Sequence, residues 1–286
     1  MAGTASIPFE QSLWQALSQR RSVTIGLAIL AIVAVAAVFA PLIAPVDPNV
    51  MSVRNRLTAP GAEWWLGTDE FGRDIFSRLI YAGRISLAVG LGVATLSSLF
   101  GVTLGLVGGF FRRLDGPVSR LIDAMMAFPD ILLAIALVAA LGGSLFNVIL
   151  ALSIVYSPRI ARTVRASTLV IRELSYVEAA RALGVSTWRI LANHVLRNTV
   201  SPIIVQATFI FAYAMLAEAG LSFLGVGVDP STPTWGTMIN AGRQYVGVAD
   251  WMILFPGIAI TLSVLSLQIA GDGLRDALDP RISREL

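Results

Sequence analysis

Residues 87–110 read LAVGLGVATLSSLFGVTLGLVGGF and contain no charged side chain. A bilayer core about 30 Å thick is crossed by roughly 20 such residues in an α-helix, so this stretch predicts a transmembrane helix. Comparable runs cover residues 23–43, 131–141 with extension back toward 118, 148–156 with extension to 165, 200–221 and 252–269. The predicted fold class is therefore an all-α membrane protein with about six transmembrane helices.

The composition of the 286-residue chain supports this fold class and excludes several chemistries. Hydrophobic residues make up 56% and charged residues 14%, whereas soluble domains average roughly 45–50% and about 25%. With Cys 0 and His 1, the chain cannot form a cysteine-based metal site, a disulfide or a thiol nucleophile. The sequence also has no lysine, which excludes a phosphate-binding loop ending in Gly-Lys-Ser/Thr. If ATP is used, another subunit must hydrolyse it.

The distribution of arginine orients the predicted helices, because cytoplasmic loops of membrane proteins carry an excess of basic residues. An N terminus inside the cell places most arginines on the cytoplasmic side. The arginines then left outside are Arg54, Arg56, Arg73, Arg78, Arg84 and Arg243. Residues 1–21 and the tail 272–286 are thus predicted to be cytoplasmic. A cleaved signal peptide is disfavoured, since the run 23–43 exceeds the usual length of about 7–15 residues.

Two predicted connections are too long to be simple turns, and the first of them, residues 46–84, is predicted to be extracytoplasmic. Phe71, Ile75 and Leu79 share one helical face, and Asp69/Arg73 and Asp74/Arg78 are acid-before-base pairs at i,i+4. This pattern predicts a short helix at the membrane interface. Such a helix either plugs the outer mouth of the protein or contacts a ligand. A further extracytoplasmic loop is predicted over residues 224–250.

The second long connection, residues 166–198, is predicted to be cytoplasmic and is the most informative segment. Ser175 and Glu178 have the spacing of a capping box, which predicts a helix from about residue 176. Gly184 suits the left-handed end of that helix, and Ser186 suits the start of a second short one. A DNA-reading helix-turn-helix is disfavoured because both ends are tied to the membrane and the net charge is only +3. The remaining alternatives are a structural loop and a docking element for a cytoplasmic motor.

Several ordered motifs resemble a known family. EAA at 178–180, Gly184 and HVL at 194–196 resemble the EAA loop of ABC importer permeases. The chain further resembles the C-type permease of the dipeptide/oligopeptide/nickel importer family in WLGTD at 65–69, GRD at 72–74, LSFLG at 221–225, PTWG at 233–236 and GDGLRDALDP at 271–280. Members commonly have Pro where this sequence has Arg197, so the helix toward the fifth span is expected to continue here.

The resemblance implies a type I ABC importer permease fold in a bacterial inner membrane, without catalytic residues, metal or cofactor on this chain. ATP and Mg would be bound by two partner ATPases. A second permease subunit, an extracytoplasmic binding protein and membrane lipid complete the implied partners, and nucleic acid is not among them. The residues implied to couple the permease to the ATPases are Glu178, Ala179, Ala180, Leu183, Gly184 and Ser186. Glu178 either caps its own helix or binds a basic residue of the ATPase.

Ionisable residues inside predicted spans are candidates for the substrate pathway, because a charge at mid-membrane is costly. Glu218 either lines the path or binds backbone amides at a broken helix end. Asp123 and Asp130 are expected to have structural roles facing Arg120 or Arg159. The implied substrate is a peptide, with a nickel chelate or glutathione as alternatives. An ion-coupled secondary transporter and a non-transporting scaffold are the competing classes.

Overall fold

The computed structural model describes residues 21–278, which fold almost entirely into α-helices. Outside the helices, two short 3-10 turns and one isolated antiparallel bridge between Thr68 and Asp74 are present in this part of the chain. The helices are α1 Arg21–Val38, α2 Ala40–Ile43, α3 Ile75–Phe110, α4 Arg112–Met126, α5 Asp130–Leu141, α6 Leu145–Ile171, α7 Ser175–Ala182, α8 Thr187–Ile190, α9 Arg197–Phe223, α10 Trp235–Gly242 and α11 Trp251–Leu278. A π-helical segment, Leu191–Leu196, joins α8 to α9.

Five helices within residues 21–278 are long and apolar enough to cross a membrane, which confirms most of the predicted spans. They are Arg21–Val38, Ile75–Phe110, Leu145–Ile171, Thr187–Phe223 and Trp251–Leu278. The predicted third span, residues 118–141, consists of two helices, because α4 and α5 meet at an angle of 93°. Pro129 causes the break, since a proline disfavours helical geometry at the residue before it. Residues 21–278 therefore contain five candidate spans, or six if the bent pair counts as one.

The core lies where α3, α6 and α9 pack together. Buried branched side chains from the three helices include Val89, Val93, Leu152, Ile160 and Ile210. A second cluster joins α3, α9, α10 and α11 around Ile75, Met215, Trp235 and Met252. The long helices bury only part of their apolar surface in this way, and the remaining apolar surface is exposed in this chain.

The predicted interfacial helix within residues 46–84 is wrong. Residues 64–74 form turns, and helix α3 begins only at Ile75 and continues into the span. Asp74 is the reason for this start, because its carboxylate accepts hydrogen bonds from the Ser77 amide at 2.8 Å and the Ser77 hydroxyl at 2.7 Å. An aspartate in this position is an N-cap, which marks a helix end rather than a helix interior.

The ion pairs predicted in this segment form only in part. Asp69 binds Arg73 at 2.6 Å as predicted, although within a loop, and it also lies 3.6 Å from Arg78. The predicted Asp74–Arg78 ion pair does not form. Asp74 caps α3 instead, and Arg78 donates to the carbonyl of Pro48 at 3.3 Å. Residues 44–74 fold over the ends of α3 and α11, where the Trp251 indole donates to the Thr68 carbonyl at 3.1 Å. Residues 44–74 thus cover one end of the described bundle.

Candidate functional site

The helix–turn–helix element, residues 172–196, lies at the opposite end of the bundle from residues 44–74. Its first helix, α7, turns Val177 and Ala180 inward. These side chains pack against buried residues from the ends of α3 and α6 and from the second helix, namely Phe110, Ile171, Ile190, Leu191 and Val195. Hydrophobic burial thus fixes the element to the bundle. Because Ala180 is buried, of the two alanines only Ala179 lies on the exposed surface.

The predicted capping box at the start of α7 is wrong. Leu174 occupies the N-cap position, and no side chain caps the helix. The helix starts at Ser175, so Glu178 is displaced by one residue from the position that a capping box requires. The Glu178 carboxylate is exposed and makes no hydrogen bond or ion pair within residues 21–278. Glu178 therefore does not cap its own helix, and its carboxylate is available to a partner.

The predicted turn at Gly184 is confirmed. Gly184 has φ +75°, in the left-handed region that favours glycine. The amide of Val185 donates to the Ala180 carbonyl and the amide of Gly184 to the Arg181 carbonyl, both at 3.0 Å. This pair of hydrogen bonds is the Schellman arrangement that ends a helix. A Cβ atom on Gly184 would meet nothing within 4 Å, so only the backbone conformation restricts this position.

The second helix is not short, which corrects the predicted pair of separate helices. Ser186 stands at its N-cap position as predicted, although its hydroxyl makes no capping bond. The helix then runs through the π-helical segment and Arg197 into α9 without a break, and the whole stretch is Thr187–Phe223. The expectation that Arg197 lets the helix continue is confirmed. The turn at Gly184 is thereby joined to a helix long and apolar enough to cross a membrane.

The surface of the element carries two large apolar side chains that no other part of the described chain covers. Leu183 is 84% exposed and Trp188 is 77% exposed, on either side of the turn. Exposed aromatic and aliphatic side chains of this size mark contact surfaces when they occur together. Leu183, Gly184 and Ser186 all lie on this exposed turn. Glu178 and Ala179 are exposed on the preceding helix, whereas Ala180 is not.

Sequence reasoning missed the polar contacts that fasten the element. Arg172 donates from Nη1 to the Gly109 carbonyl at the end of α3, at 2.6 Å. Its Nε donates to Glu173 at 2.9 Å, and Arg112 lies 3.2 Å from the same carboxylate. Hydrogen bonds from Arg172 and Arg112 lower the pKa of Glu173 below its ordinary value. Only a fold in which α3 and α6 end side by side brings these groups together.

Glu218 lies on α9 near the other end of the bundle and is 1% exposed. Its Oε1 accepts hydrogen bonds from the Ser222 hydroxyl at 2.8 Å and the Thr234 hydroxyl at 2.9 Å. Thr234 is also the N-cap of α10, where its hydroxyl oxygen accepts from the Thr237 amide at 3.1 Å. The Glu218 partners are thus hydroxyls rather than backbone amides, and its carboxylate is enclosed by this chain. The geometry makes Glu218 a link between α9 and α10.

We expect Glu218→Leu to lower the thermal stability of the purified protein, because the Ser222 and Thr234 hydroxyls lose their acceptor. A buried polar group left unsatisfied costs about 1–3 kcal/mol. Glu218→Gln is the matched control, since its amide oxygen can still accept both bonds, and it should melt close to the wild type. Thermal melting of the purified protein is the measurement. If Glu218→Gln melts as low as Glu218→Leu, the hydrogen bonds to Oε1 do not stabilise the link and the structural role is wrong.

Three further carboxylates pair with arginines spaced three residues apart on α6. Asp130 forms an ion pair with Arg159 as expected. Asp123 pairs with Arg162 at 2.9 Å rather than with Arg120 or Arg159, which corrects that expectation. The third pair is Asp115–Arg165, at 2.7 Å. Together these pairs join the bent helices α4 and α5 to α6. No group of three or more metal-binding side chains is found within residues 21–278.

A similar bundle is found in a solved ABC transporter. A chain of the methionine ABC transporter MetNI, solved in inward-facing conformations, superposes with a TM-score of 0.57 at 19% sequence identity. The match covers 71% of this chain and 97% of that one. The two chains therefore share a fold.

The sequence places the chain more specifically. Residues 101–284 match the family described as binding-protein-dependent transport system inner membrane component, and residues 8–60 match the N-terminal transmembrane domain of oligopeptide transport permease C. The chain belongs to the family of inner-membrane components of binding-protein-dependent transport systems.

Two curated relatives illustrate how closely the chain resembles this family. A putative peptide transport system permease protein of Brucella suis is 52% identical over 94% of this chain and 91% of its own length. The dipeptide transport system permease protein of Alkalihalophilus pseudofirmus is 45% identical over 98% of this chain and 92% of its own length. The similarity therefore extends over nearly the whole chain.

Proposed function

We propose that this chain is one of two permease subunits of an ATP-driven importer and forms half of the pathway for a peptide-like substrate. The observation that carries the proposal is the helix–turn–helix element, which is packed against the bundle, exposes Leu183 and Trp188, and continues without a break into a helix long enough to span a membrane. Such an element converts the movement of a bound partner into movement of that span. The partner is a pair of cytoplasmic ATPases that bind ATP and Mg, and the energy enters through them.

The turn of the element is the docking point in this proposal. Glu178, whose carboxylate has no partner within the described chain, binds a basic group of the ATPase. Ala179 permits close approach, and Leu183 and Trp188 supply apolar contact area. Docking on this face requires it to be cytoplasmic, and the arginine distribution supports that orientation with both termini on the same side. Residues 44–74 and 224–250 then face the opposite compartment, from which a binding protein delivers substrate.

Peptide is the proposed substrate because the relatives reported above are named for peptide and dipeptide transport. A directly coordinated metal ion is less suitable, since the only histidine, His194, lies in the helix–turn–helix element. Nickel chelates and glutathione remain the alternatives for an importer. Mass spectrometry of the ligand that copurifies with the cognate binding protein distinguishes these substrates directly.

The test is purification of the tagged chain from its own membrane, followed by reconstitution into liposomes. We expect the chain to bring down a second permease and two ATPases. Uptake of a labelled dipeptide should then require ATP and the loaded binding protein together. The matched control is the same complex with an ATPase subunit that cannot hydrolyse ATP. Uptake by this chain alone, driven by a proton or sodium gradient, would contradict the proposal and favour a secondary transporter.

A further inference from the structure

Arg159 and Asp130 form an ion pair that neither the helix–turn–helix element nor the Glu218 link uses. The pair joins α6 to the first turn of α5. The Arg159 guanidinium also lies 5.4 Å from the ring centre of Tyr156 and 5.2 Å from that of Tyr213. The side chains of Arg159 and Asp130 are 33% and 38% exposed, and Tyr213 is 40% exposed. Two aromatic rings and two charges thus meet at one partly open position.

The ion pair lies near the middle of α6, a helix long and apolar enough to cross a membrane. At about 1.5 Å per residue, Arg159 is roughly 20 Å along α6 from both Leu145 and Ile171. A charged side chain that faces lipid at the middle of a span costs about 2.5–3.5 kcal/mol. This cost favours water or a partner subunit, rather than lipid, on the open side of the pair.

A groove lined by both polar and apolar side chains lies between α6, α9 and α11. It has a volume of about 480 Å³, within the range of small-molecule sites. Its polar lining comes from three helices and includes Thr163, Ser201, Gln206 and Arg275. Thr163 lies one turn from Arg159 on α6 and donates its hydroxyl to the Arg159 carbonyl at 3.1 Å. Gln206, Phe209 and Tyr213 share one face of α9 by their spacing. The groove thus begins one helical turn from the ion pair along α6.

A peptide with free ends carries the charges that this position would recognise. A guanidinium binds a carboxylate through two parallel hydrogen bonds, and Asp130 offers a carboxylate to an ammonium group. We infer that Arg159, Asp130 and Tyr213 form a transient binding site on the translocation path, in which Arg159 holds the carboxylate end of a passing peptide. The inference rests on the proposed function and names the residues through which that function would be carried out.

Arg159 and Asp130 can exchange each other for the charged ends of a peptide, which suits a site that binds the peptide only briefly. Before substrate arrives, Arg159 and Asp130 neutralise each other. A peptide carboxylate replaces Asp130 at Arg159, and the peptide ammonium replaces Arg159 at Asp130, so the number of ion pairs rises without an unpaired charge. Because the resident pair competes with substrate, binding is weak enough for release, as a conduction pathway requires.

The first experiment compares a dipeptide with its C-terminal amide in ATP-driven uptake by the complete complex. The binding protein is loaded with each peptide beforehand, so that delivery is the same for every variant. We expect Arg159→Gln to reduce the preference for the free carboxylate by about tenfold, the effect of one lost charge-assisted interaction. Arg159→Lys keeps the positive charge but loses the planar guanidinium group, and it should give an intermediate preference for the free carboxylate.

The matched control for this experiment is Arg162→Gln, which removes the neighbouring ion pair with Asp123 from the same helices. That pair is more exposed, at 53% and 63% of the side chains, and should leave the preference unchanged. Equal loss of preference in both variants, or an unchanged preference in Arg159→Gln, overturns the inference. If the wild-type complex moves neither di- nor tripeptides, the proposed function fails and this ligand assignment fails with it.

The second experiment tests the path without relying on uptake. Because the chain has no cysteine of its own, any label found on it reports the introduced cysteine. In the assembled complex, Thr163→Cys and Tyr213→Cys should react with a charged thiol reagent about tenfold faster than Ile32→Cys, because the reactive thiolate forms only in contact with water. Ile32 is the control because it is exposed on an apolar face of α1. Excess dipeptide should slow the labelling of Tyr213→Cys. Equal labelling of all three positions, or no protection by dipeptide, overturns the inference.

Discussion

Gly184→Val is expected to abolish most ATP-driven uptake while leaving the complex assembled. Gly184 has φ +75°, and a β-branched residue held there costs about 1–3 kcal/mol. The turn relieves this strain by giving up its two closing hydrogen bonds, which shifts Leu183 and Trp188 relative to each other. At about 1.4 kcal/mol per factor of ten, uptake should fall roughly tenfold or more. Uptake per complex and ATP hydrolysis by the same liposomes are measured together.

The matched control for this prediction is Gly184→Asn, because asparagine adopts the left-handed conformation more readily than other residues. A Cβ atom at this position would meet nothing within 4 Å, so neither substitution introduces a clash at Cβ. The left-handed backbone conformation is easier for asparagine than for valine, so Gly184→Asn should retain most of its uptake. If Gly184→Val transports normally, the turn does not couple the permease to the ATPases and the proposed docking point is wrong.

The spans were the most predictable part of the fold. Long uncharged runs such as residues 87–110 leave a chain few alternatives in a bilayer, where every backbone group must be hydrogen-bonded internally. The third span was less predictable for a physical reason. Pro129 indicates a break, but the angle of 93° between α4 and α5 depends on how the two helices pack on α6. That packing involves the pairs Asp123–Arg162 and Asp130–Arg159, whose members are far apart in the sequence.

Local motifs predicted the candidate site only where local physics decides the structure. The turn at Gly184 was predictable because a left-handed backbone conformation selects glycine. The start of α7 was not, since the burial of Val177 and Ala180 against α3 and α6 sets the helix one residue earlier than the capping box requires. The hydrogen bond of Arg172 was equally unpredictable, because its acceptor is the carbonyl of Gly109, which is distant in the sequence.

Glu218 shows a similar limit for a single buried charge. Its position in a span identified it as unusual, but its partner Thr234 lies beyond the end of α9, at the start of a helix that the sequence did not reveal. The helix predicted within residues 46–84 was wrong for a different reason. Asp74 has the spacing of an ion pair with Arg78 and also the identity of an N-cap, and the cap prevails because it satisfies an otherwise unpaired backbone amide.

Among single methyl groups added within residues 44–74, the one in Gly72→Ala is expected to lower the stability of the protein most. A Cβ atom on Gly72 would lie 1.9 Å from the carbonyl oxygen of Ser52 and 2.7 Å from its carbonyl carbon. Both are backbone atoms, and Ser52 is itself held by a hydrogen bond from its amide to the Phe71 carbonyl at 3.0 Å. Steric overlap of this kind costs about 1–3 kcal/mol, and the φ of +71° at Gly72 adds a similar amount of strain.

Gly61→Ala is the matched control for this prediction, because it adds the same methyl group to the same segment. A Cβ atom there would meet only the Ala59 carbonyl oxygen, at 3.9 Å, which is an ordinary contact. We expect Gly72→Ala to lower the melting temperature of the purified complex and its yield, whereas Gly61→Ala should behave as the wild type. Because residues 44–74 cover the ends of α3 and α11, their loosening exposes Asp69, Arg73 and Arg78 to water and removes the plug. Equal stability of the two variants would mean that this segment moves freely on the bundle, and the plug interpretation would then be wrong.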